Sequence, residues 1–203
     1  MSAPAPTSKD RSAADSIEVR ILDAARVQFE RLGVKKTTIG DVARQAEVDR
    51  GTVYRRIGSR DDLVRAVSAR EVRELLTELE GIPARHESME AIVADIFGTV
   101  ITRWREHALI NRVLALEPGR LLPYVTTEGG PFFTMAVGTT AAILTEALRQ
   151  RQLPETPDFT TRIEIAARIV HSLILQPVGA IALESEEQLA AFARAYIAPL
   201  ILG

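Results

Sequence analysis

The 203-residue chain has no cysteine, and only 5% of its residues are aromatic. The lack of cysteine excludes disulfides, a thiolate nucleophile and cysteine ligands for zinc. The three histidines, at positions 86, 107 and 171, are too scattered along the chain to predict a metal site. A glycine-rich phosphate loop and a nucleophile elbow are missing from the sequence as well. These absences predict a protein that is not an enzyme and that has no cofactor and no metal.

Long apolar runs are also missing, since no stretch of eighteen apolar residues occurs. The N-terminus lacks the basic and then apolar pattern of a signal peptide. With 46% apolar and 26% charged residues, the composition is ordinary for a soluble globular protein. We therefore expect a cytoplasmic protein that does not bind membranes.

Positive charge is not in excess over the whole chain, whose net charge is −2, but it is concentrated near the N-terminus. Residues 16–60 contain ten basic and six acidic residues, so the rest of the chain is acidic. A basic end on an acidic body is typical of a protein in which one end meets phosphate. The asymmetry favours nucleic-acid binding, and chance is the alternative explanation for it.

Residues 38–57 have the pattern of two short helices joined by a four-residue turn. Thr38 and Asp41 form a capping box at the start of the first helix, and Asp49 is placed to cap the second. In the second helix Val53 and Ile57 share an inward face. Arginine reads guanine edges, and hydroxyls and phenols reach phosphates. The outward face carries these residue types at Arg50, Thr52, Tyr54, Arg55 and Arg56.

Flanking elements complete a small helical domain. An amphipathic helix that contains Ile21 and Phe29 precedes the pair, and Gly33 is placed to end it. After the pair, Gly58 interrupts the chain, and Ser59 with Asp62 opens a fourth helix with a second capping box. Residues 1–15 lack a periodic apolar pattern and are predicted to be a disordered tail.

Residues 17–64 resemble the DNA-binding domain of TetR-family transcriptional repressors. The elements that carry the resemblance are Ile21-Leu22-Asp23-Ala24-Ala25, Phe29, Gly33, Thr37-Thr38-Ile39, Asp41-Val42-Ala43, Arg50-Gly51-Thr52-Val53-Tyr54-Arg55 and Ser59-Arg60-Asp61-Asp62-Leu63. Three positions depart from the family pattern: Glu47 replaces the usual turn glycine, Ile57 the usual aromatic, and Arg60 the usual lysine. A glutamate in that turn must either avoid a positive φ or bear strain.

The resemblance implies a homodimeric, all-helical repressor in the cytoplasm that binds double-stranded operator DNA and so lies at the nucleoid when bound. It further implies that Arg50, Thr52, Tyr54 and Arg55 enter the major groove. Thr38, Tyr54, Ser59 and Arg60 would hold phosphates. The expected domains are the tail at 1–15, the helix-turn-helix domain at 16–62, a linker helix at 60–80, and a ligand-binding and dimerisation domain at 83–203.

The remaining sequence predicts helices only, with an apolar body in which a hydrophobic small-molecule effector could bind. A pocket needs apolar walls with a few polar anchors, although each aromatic taken singly is more often a core residue. The candidate ligand-binding residues are Phe97, Ile101, Trp104, His107, Leu114, Tyr124, Phe133, Thr139 and His171.

The last two predicted helices, at 159–176 and 186–200, carry apolar stripes rich in small residues. Such stripes suit either a dimer interface or an intramolecular core, and we favour the interface because a twofold dimer presents two recognition helices one DNA turn apart. The candidate interface residues are Ile165, Ile169, Leu173, Leu189, Phe192, Ala193 and Tyr196.

Two other functions remain open. One is a DNA-binding regulator that a protein partner controls, with a filled core and no ligand pocket. The other is an all-helical carrier or enzyme in which the helix-turn-helix is only structural. That protein would need a cluster of titratable groups in its apolar body, which the sequence does not contain.

Overall fold

A computed structural model describes residues 8–117, 119, 123 and 126–203 of the chain, and over these residues the secondary structure is entirely helical. The chain divides into two compact units, one formed by residues 1–71 with 108–121 and the other by residues 72–107 with 122–203. We call them the N-terminal unit and the C-terminal unit. The all-helical class predicted from the sequence is confirmed. In chain order the helices are α1 (Ser8–Leu32), α2 (Ile39–Gln45), α3 (Arg50–Arg56), α4 (Arg60–Glu80), a 3₁₀ turn (Ile82–Arg85), α5 (Met89–Glu106), α6 (Ala108–Leu116), α7 (Gly130–Gln150), α8 (Phe159–Leu175), α9 (Glu186–Phe192), a π-helical segment (Ala193–Ile197) and α10 (Ala198–Leu202).

The N-terminal unit is built around the inward faces of α1, α2 and α3. Phe29, Val42 and Val53, one from each helix, are almost completely buried in one core. Gly33 ends α1 with φ +81°, and its N–H donates to the Phe29 carbonyl over 2.9 Å. Only glycine adopts such a φ without penalty, so the predicted end of α1 is confirmed.

The beginning of α1 differs from the prediction. Residues 8–15 were predicted to belong to a disordered tail, yet α1 begins at Ser8. The segment Ser8–Asp15 includes lysine, arginine and two alanines, which favour helix, and this local propensity extends α1 toward the N-terminus. Residues 1–7 of the predicted tail lie outside the part of the chain that the structure describes.

Helix α6 belongs to the N-terminal unit, although the sequence placed residues 83–203 together in one ligand-binding domain. Val113 is buried in the core of the N-terminal unit, and Leu109 packs against the same core. The Arg112 side chain donates to the Arg31 carbonyl over 2.8 Å, and the Glu117 carboxylate accepts from the Lys35 N–H over 2.8 Å. Contacts with residues far away in sequence cannot be seen in a local pattern, and these contacts correct the predicted boundary.

The C-terminal unit is organised around α5, whose apolar face packs against α8, α9, the π-helical segment and α10. Ser88 caps α5 by accepting from the Ala91 N–H over 3.2 Å. The π-helical segment lies just before Pro199, which cannot donate the next helical hydrogen bond. Helices α7 and α8 pack as an antiparallel pair, because the Phe133 ring at the start of α7 lies 5.9 Å from the His171 ring near the end of α8.

Two of the residues predicted for a dimer interface are core residues of the C-terminal unit. Leu189 is 2% exposed and Ala193 is 0% exposed, and both pack in the same cluster as α5. A side chain that its own subunit buries cannot offer surface to a second subunit, so these two assignments are corrected. Ile169, Leu173 and Phe192 are partly buried against that core, whereas Ile165 and Tyr196 are exposed.

Helix α7 is long and apolar enough to cross a membrane by length and composition alone, with a mean hydropathy of 1.3 in its most apolar window. A single helix of this kind is weak evidence for a membrane span. Only 28% of that window is buried, so α7 presents apolar and small residues at the surface of the chain.

Candidate nucleic-acid interface

The helix pair formed by α2 and α3 is held at both N-termini by the predicted caps. The Thr38 hydroxyl accepts from the Asp41 N–H over 3.2 Å, and the Asp41 carboxylate accepts from the Thr38 N–H over 3.1 Å. Asp49 accepts from the Thr52 N–H over 2.8 Å. Each cap satisfies backbone donors that a helix start leaves without partners. The two short helices therefore begin at residues that the sequence specifies.

The turn between the helices is a Schellman motif with Glu47 in the left-handed position. Glu47 has φ +54°, the Glu47 N–H donates to the Arg44 carbonyl, and the Val48 N–H donates to the Ala43 carbonyl. The glutamate therefore bears the strain that the missing glycine leaves. The Arg20 side chain donates to the carbonyls of Ala46 and Glu47, which ties the turn to α1.

We expect Glu47→Gly to raise the free energy of unfolding by about 0.5–1 kcal/mol, because relief of the left-handed strain exceeds the entropy that glycine loses on folding. The lost ion pair with Arg20 is highly exposed and spans 3.9 Å, so it contributes little. Urea denaturation of the variant measures the change. Gln152→Gly, at φ +58° in a second Schellman motif, is the matched comparison. A lower free energy of unfolding for Glu47→Gly would contradict this account of the turn.

The outward face of α3 carries a chain of hydrogen bonds. The Thr52 hydroxyl donates to Asp49 over 2.6 Å and accepts from Arg55 Nη2 over 2.8 Å. This chain holds the Arg55 guanidinium on the outer face of the helix while leaving it exposed. Tyr54 stands beside it with 57% of its surface exposed, whereas Val53 is buried. The face therefore presents a guanidinium and a phenol in an arrangement that suits base edges and phosphates.

Arg50 does not extend outward along α3. Its guanidinium lies across Gly40 in the first turn of α2, where a Cβ added to the glycine would be 2.6 Å from Nη2. The guanidinium also helps to lower the pKa of the Asp41 carboxyl, behind the larger effects of the hydrogen bonds from Thr38 and the charge of Arg44. Arg50 was predicted from the sequence, but Gly40 was not. The only local sign that Gly40 matters is that a glycine stands in the first turn of a helix.

The predicted phosphate contacts at the start of α4 are engaged within the protein. The Asp62 N–H donates to the Ser59 hydroxyl over 3.2 Å and the Ser59 N–H donates to the Asp62 carboxylate over 2.8 Å, which confirms the second capping box. The Ser59 hydroxyl also donates to that carboxylate over 2.6 Å. The Arg60 guanidinium donates to the Lys35 carbonyl over 3.1 Å and so joins α4 to the linker that follows α1. Thr38 likewise donates to Asp41 over 2.6 Å. The hydroxyls of Ser59 and Thr38 already cap helices, so a phosphate contact would have to form alongside the capping hydrogen bonds.

The three capping carboxylates make the stability of the N-terminal unit depend on acid pH. Hydrogen bonds from Thr38, Thr52 and Ser59 lower the pKa values of Asp41, Asp49 and Asp62 respectively. A carboxyl with a lowered folded pKa stabilises the fold above its unfolded pKa, about 3.9. That contribution is lost as the pH falls from there through the folded pKa.

We expect the variant with all three aspartates replaced by asparagine to lose less thermal stability than the wild type between pH 5 and pH 3. Melting followed by circular dichroism at both pH values gives the comparison. Arg149 and Gln150 lower the pKa of Glu146 to about 2, but that group titrates equally in both proteins. Equal losses of melting temperature in the two proteins would show that the caps are not the acid-sensitive groups.

The residues predicted to bind a ligand do not share one environment. Phe97 and Ile101 are buried in the core of the C-terminal unit, and Trp104, His107 and Thr139 are partly buried. Phe133 and His171 meet edge to face, with the Arg168 guanidinium 5.2 Å from the Phe133 centroid. Tyr124 lies outside the described residues. Leu114 is on α6 in the N-terminal unit and is exposed, which removes it from a pocket inside the C-terminal unit.

The interior of the C-terminal unit is apolar. Over the described residues, Gln28 and Thr37 are the only polar side chains that are buried, and both belong to the N-terminal unit. The same part of the chain contains no group of three or more side chains that could hold a metal ion. A site within the described portion of this unit would therefore suit a ligand with little charge.

Comparisons with known proteins agree with the geometry of α2 and α3. A sequence model of bacterial regulatory proteins of the tetR family matches residues 21–67. An uncharacterized HTH-type transcriptional regulator of Mycobacterium tuberculosis is 32% identical over 130 residues, which is 64% of this chain and 66% of the relative. The chain thus spans just under two thirds of that relative's length.

Solved structures have the same fold. The TetR-family repressor AlkX from a Dietzia strain, implicated in biodegradation of n-alkanes, superposes with a TM-score of 0.66 at 24% identity, over 90% of this chain and 94% of the other. RolR in complex with resorcinol superposes with a TM-score of 0.63 at 14% identity, over 94% of each chain. Both likenesses extend through the two units.

Proposed function

Because the chain belongs to the TetR family of DNA-binding transcriptional regulators, we propose that it is a cytoplasmic repressor that a hydrophobic small molecule releases from its operator. The observation that carries the DNA-binding part is the exposed face of α3, where Tyr54 and the guanidinium of Arg55 stand outward from a helix whose Val53 is buried. Arg50, Thr52 and Arg60 belong to the same proposed surface, with Thr38 and Ser59 at the helix starts that flank it.

The proposed effector is largely apolar and is anchored by neutral hydrogen bonds. Supporting this, the buried side chains described in the C-terminal unit are all apolar, and an ion bound there would lack a buried counter-charge. Trp104 and His171 supply partly buried rings whose nitrogens can form hydrogen bonds, and Phe133 supplies a partly buried apolar ring. RolR, a protein of the same fold, holds the aromatic molecule resorcinol. A protein partner remains the alternative means of control, and the effector titration below separates the two.

Helix α6 is the proposed route from the effector to the DNA-binding surface. It belongs to the N-terminal unit, while residues 72–107 before it belong to the C-terminal unit. Arg112 and Glu117 fasten it to the Arg31 carbonyl and the Lys35 N–H, at the end of α1 and the approach to α2. A ligand that displaces the end of α5 would also displace α6, because the chain joins the two helices. Only a ligand with unequal affinity for the two arrangements can shift their populations.

A second copy of the chain is proposed to pack on the outer faces of α7 and α8. Gly138 and Ala142 on α7 are exposed small residues that allow close helix approach. Ile165 on α8 is an exposed large apolar residue. Burial of this surface would explain why an apolar helix such as α7 is left uncovered in a single chain. The proposed interface includes Ile165, as the sequence predicted. It uses α7 where the sequence had predicted α9.

The test begins with the wild-type protein and a random-sequence DNA library, from which repeated selection should enrich one palindromic duplex. Hydrophobic aromatic and aliphatic molecules are then added one at a time to the protein–duplex complex. We expect a subset to release the DNA. Failure to enrich any duplex would contradict the DNA-binding assignment, whereas enrichment without release by any molecule would favour control by a protein partner.

A further inference from the structure

The position of the Arg50 guanidinium depends on a missing side chain in the neighbouring helix. A Cβ added to Gly40 would lie 2.6 Å from Nη2, 2.8 Å from Nε and 2.9 Å from Cζ of Arg50. The two nitrogens are nearer than Cζ, so the Nε–Nη2 edge of the guanidinium faces the glycine. Gly40 is correspondingly buried, although it lies in the first turn of a helix at the protein surface.

Position 40 favours glycine because the Arg50 guanidinium lies so close to it. At separations below 3.0 Å something must move, and the three nearest atoms all belong to the end of the flexible Arg50 side chain. Gly40 has no left-handed φ that would require a glycine for the backbone. An alanine at position 40 would therefore leave the helix intact and displace the Arg50 guanidinium. Alanine also has the higher helix propensity, so the fold gains from the change.

We propose that Gly40 is a positioning residue for DNA binding, which holds Arg50 in one orientation between α2 and α3. An arginine side chain loses considerable rotamer entropy when it is fixed at a DNA surface. A contact that fixes the guanidinium before DNA binds lowers that loss of entropy, which is the general benefit of preorganisation. Arg50 is an exposed residue, so its side chain stays accessible to DNA. The inference rests on the assignment of α2 and α3 to DNA.

The experiment uses the duplex that the wild-type protein selects from a random library, so a failure of DNA binding itself is seen first. Dissociation constants are measured for Gly40→Ala, Arg50→Ala and the double variant, each over a series of salt concentrations. Gly98→Ala is the matched control, because a Cβ at Gly98 in α5 meets nothing within 4 Å. Thermal melting of every variant reports the fold.

We expect Gly40→Ala and Arg50→Ala each to weaken binding about tenfold, and the double variant to bind no more weakly than Arg50→Ala. If the guanidinium meets a phosphate, both single changes should reduce the slope of log affinity against log salt by about one. Gly98→Ala should bind as the wild type does. Wild-type affinity for Gly40→Ala, or losses that add in the double variant, would overturn the proposal. A melting temperature of Gly40→Ala below the wild type's would overturn it as well, since the methyl would then collide with more than a mobile guanidinium.

Discussion

Replacing Ala193 with glutamate should unfold the C-terminal unit instead of separating two intact subunits. Ala193 is completely buried in the core that α5 forms with α9 and the π-helical segment. A carboxylate placed there has no partner, and its bulk has no space, so we expect a loss of about 4 kcal/mol or more. The sequence pattern alone had indicated an interface at this position, where the same substitution would yield a folded monomer.

Circular dichroism and urea denaturation of Ala193→Glu distinguish the two outcomes. The matched control is Ala195→Glu, which adds the same charge two residues away at an exposed position. An exposed substitution of this kind changes stability by about 0.5 kcal/mol or less. A folded, monomeric Ala193→Glu protein with wild-type helicity would contradict the assignment of this residue to the core.

Replacing Ile165 with glutamate should instead give a folded monomer that no longer binds operator DNA. Ile165 is 44% exposed on α8, so a single chain tolerates the charge, but four-helix packing with a second copy would bury two like charges together. A monomer presents one recognition helix, so we expect affinity for a palindromic duplex to fall by two orders of magnitude or more.

Sedimentation equilibrium at micromolar concentration measures the mass of Ile165→Glu against the 22.3 kDa of one chain. Val178→Glu is the control, because Val178 is 79% exposed in the segment after α8 and outside the proposed helix faces. The control should remain dimeric and bind the duplex. If Ile165→Glu stays dimeric and binds DNA with full affinity, the dimer interface must lie elsewhere on the chain.

The parts of the fold that the sequence predicted are those that local chemistry determines. Thr38 with Asp41, Asp49 with Thr52, and Ser59 with Asp62 are near neighbours in the chain, so their hydrogen bonds follow from spacing alone. The stripe that contains Val53 requires only helical periodicity. The sequence left open whether Glu47 avoids a positive φ or bears strain, and the structure shows the strained alternative, with φ +54°.

The parts that escaped prediction depend on contacts between distant residues. Helix α6 joins the N-terminal unit through Val113 and Arg112, whose partners are far away in the sequence. The stripe with Leu189 and Ala193 has the same periodicity whether it faces its own core or a second subunit. Arg50 lies over Gly40 because an arginine can fold back across a neighbouring helix, which no periodicity records.

The central claim, release from DNA by an apolar effector, is tested most directly by the fluorescence of Trp104, the only tryptophan in the chain. A molecule found to release the selected duplex is titrated into the wild-type protein, and Trp104 emission and DNA release are recorded in the same solution. Since binding and release share one equilibrium, we predict that both signals follow one concentration dependence. A ligand that saturates the Trp104 signal while the DNA stays bound would contradict the account.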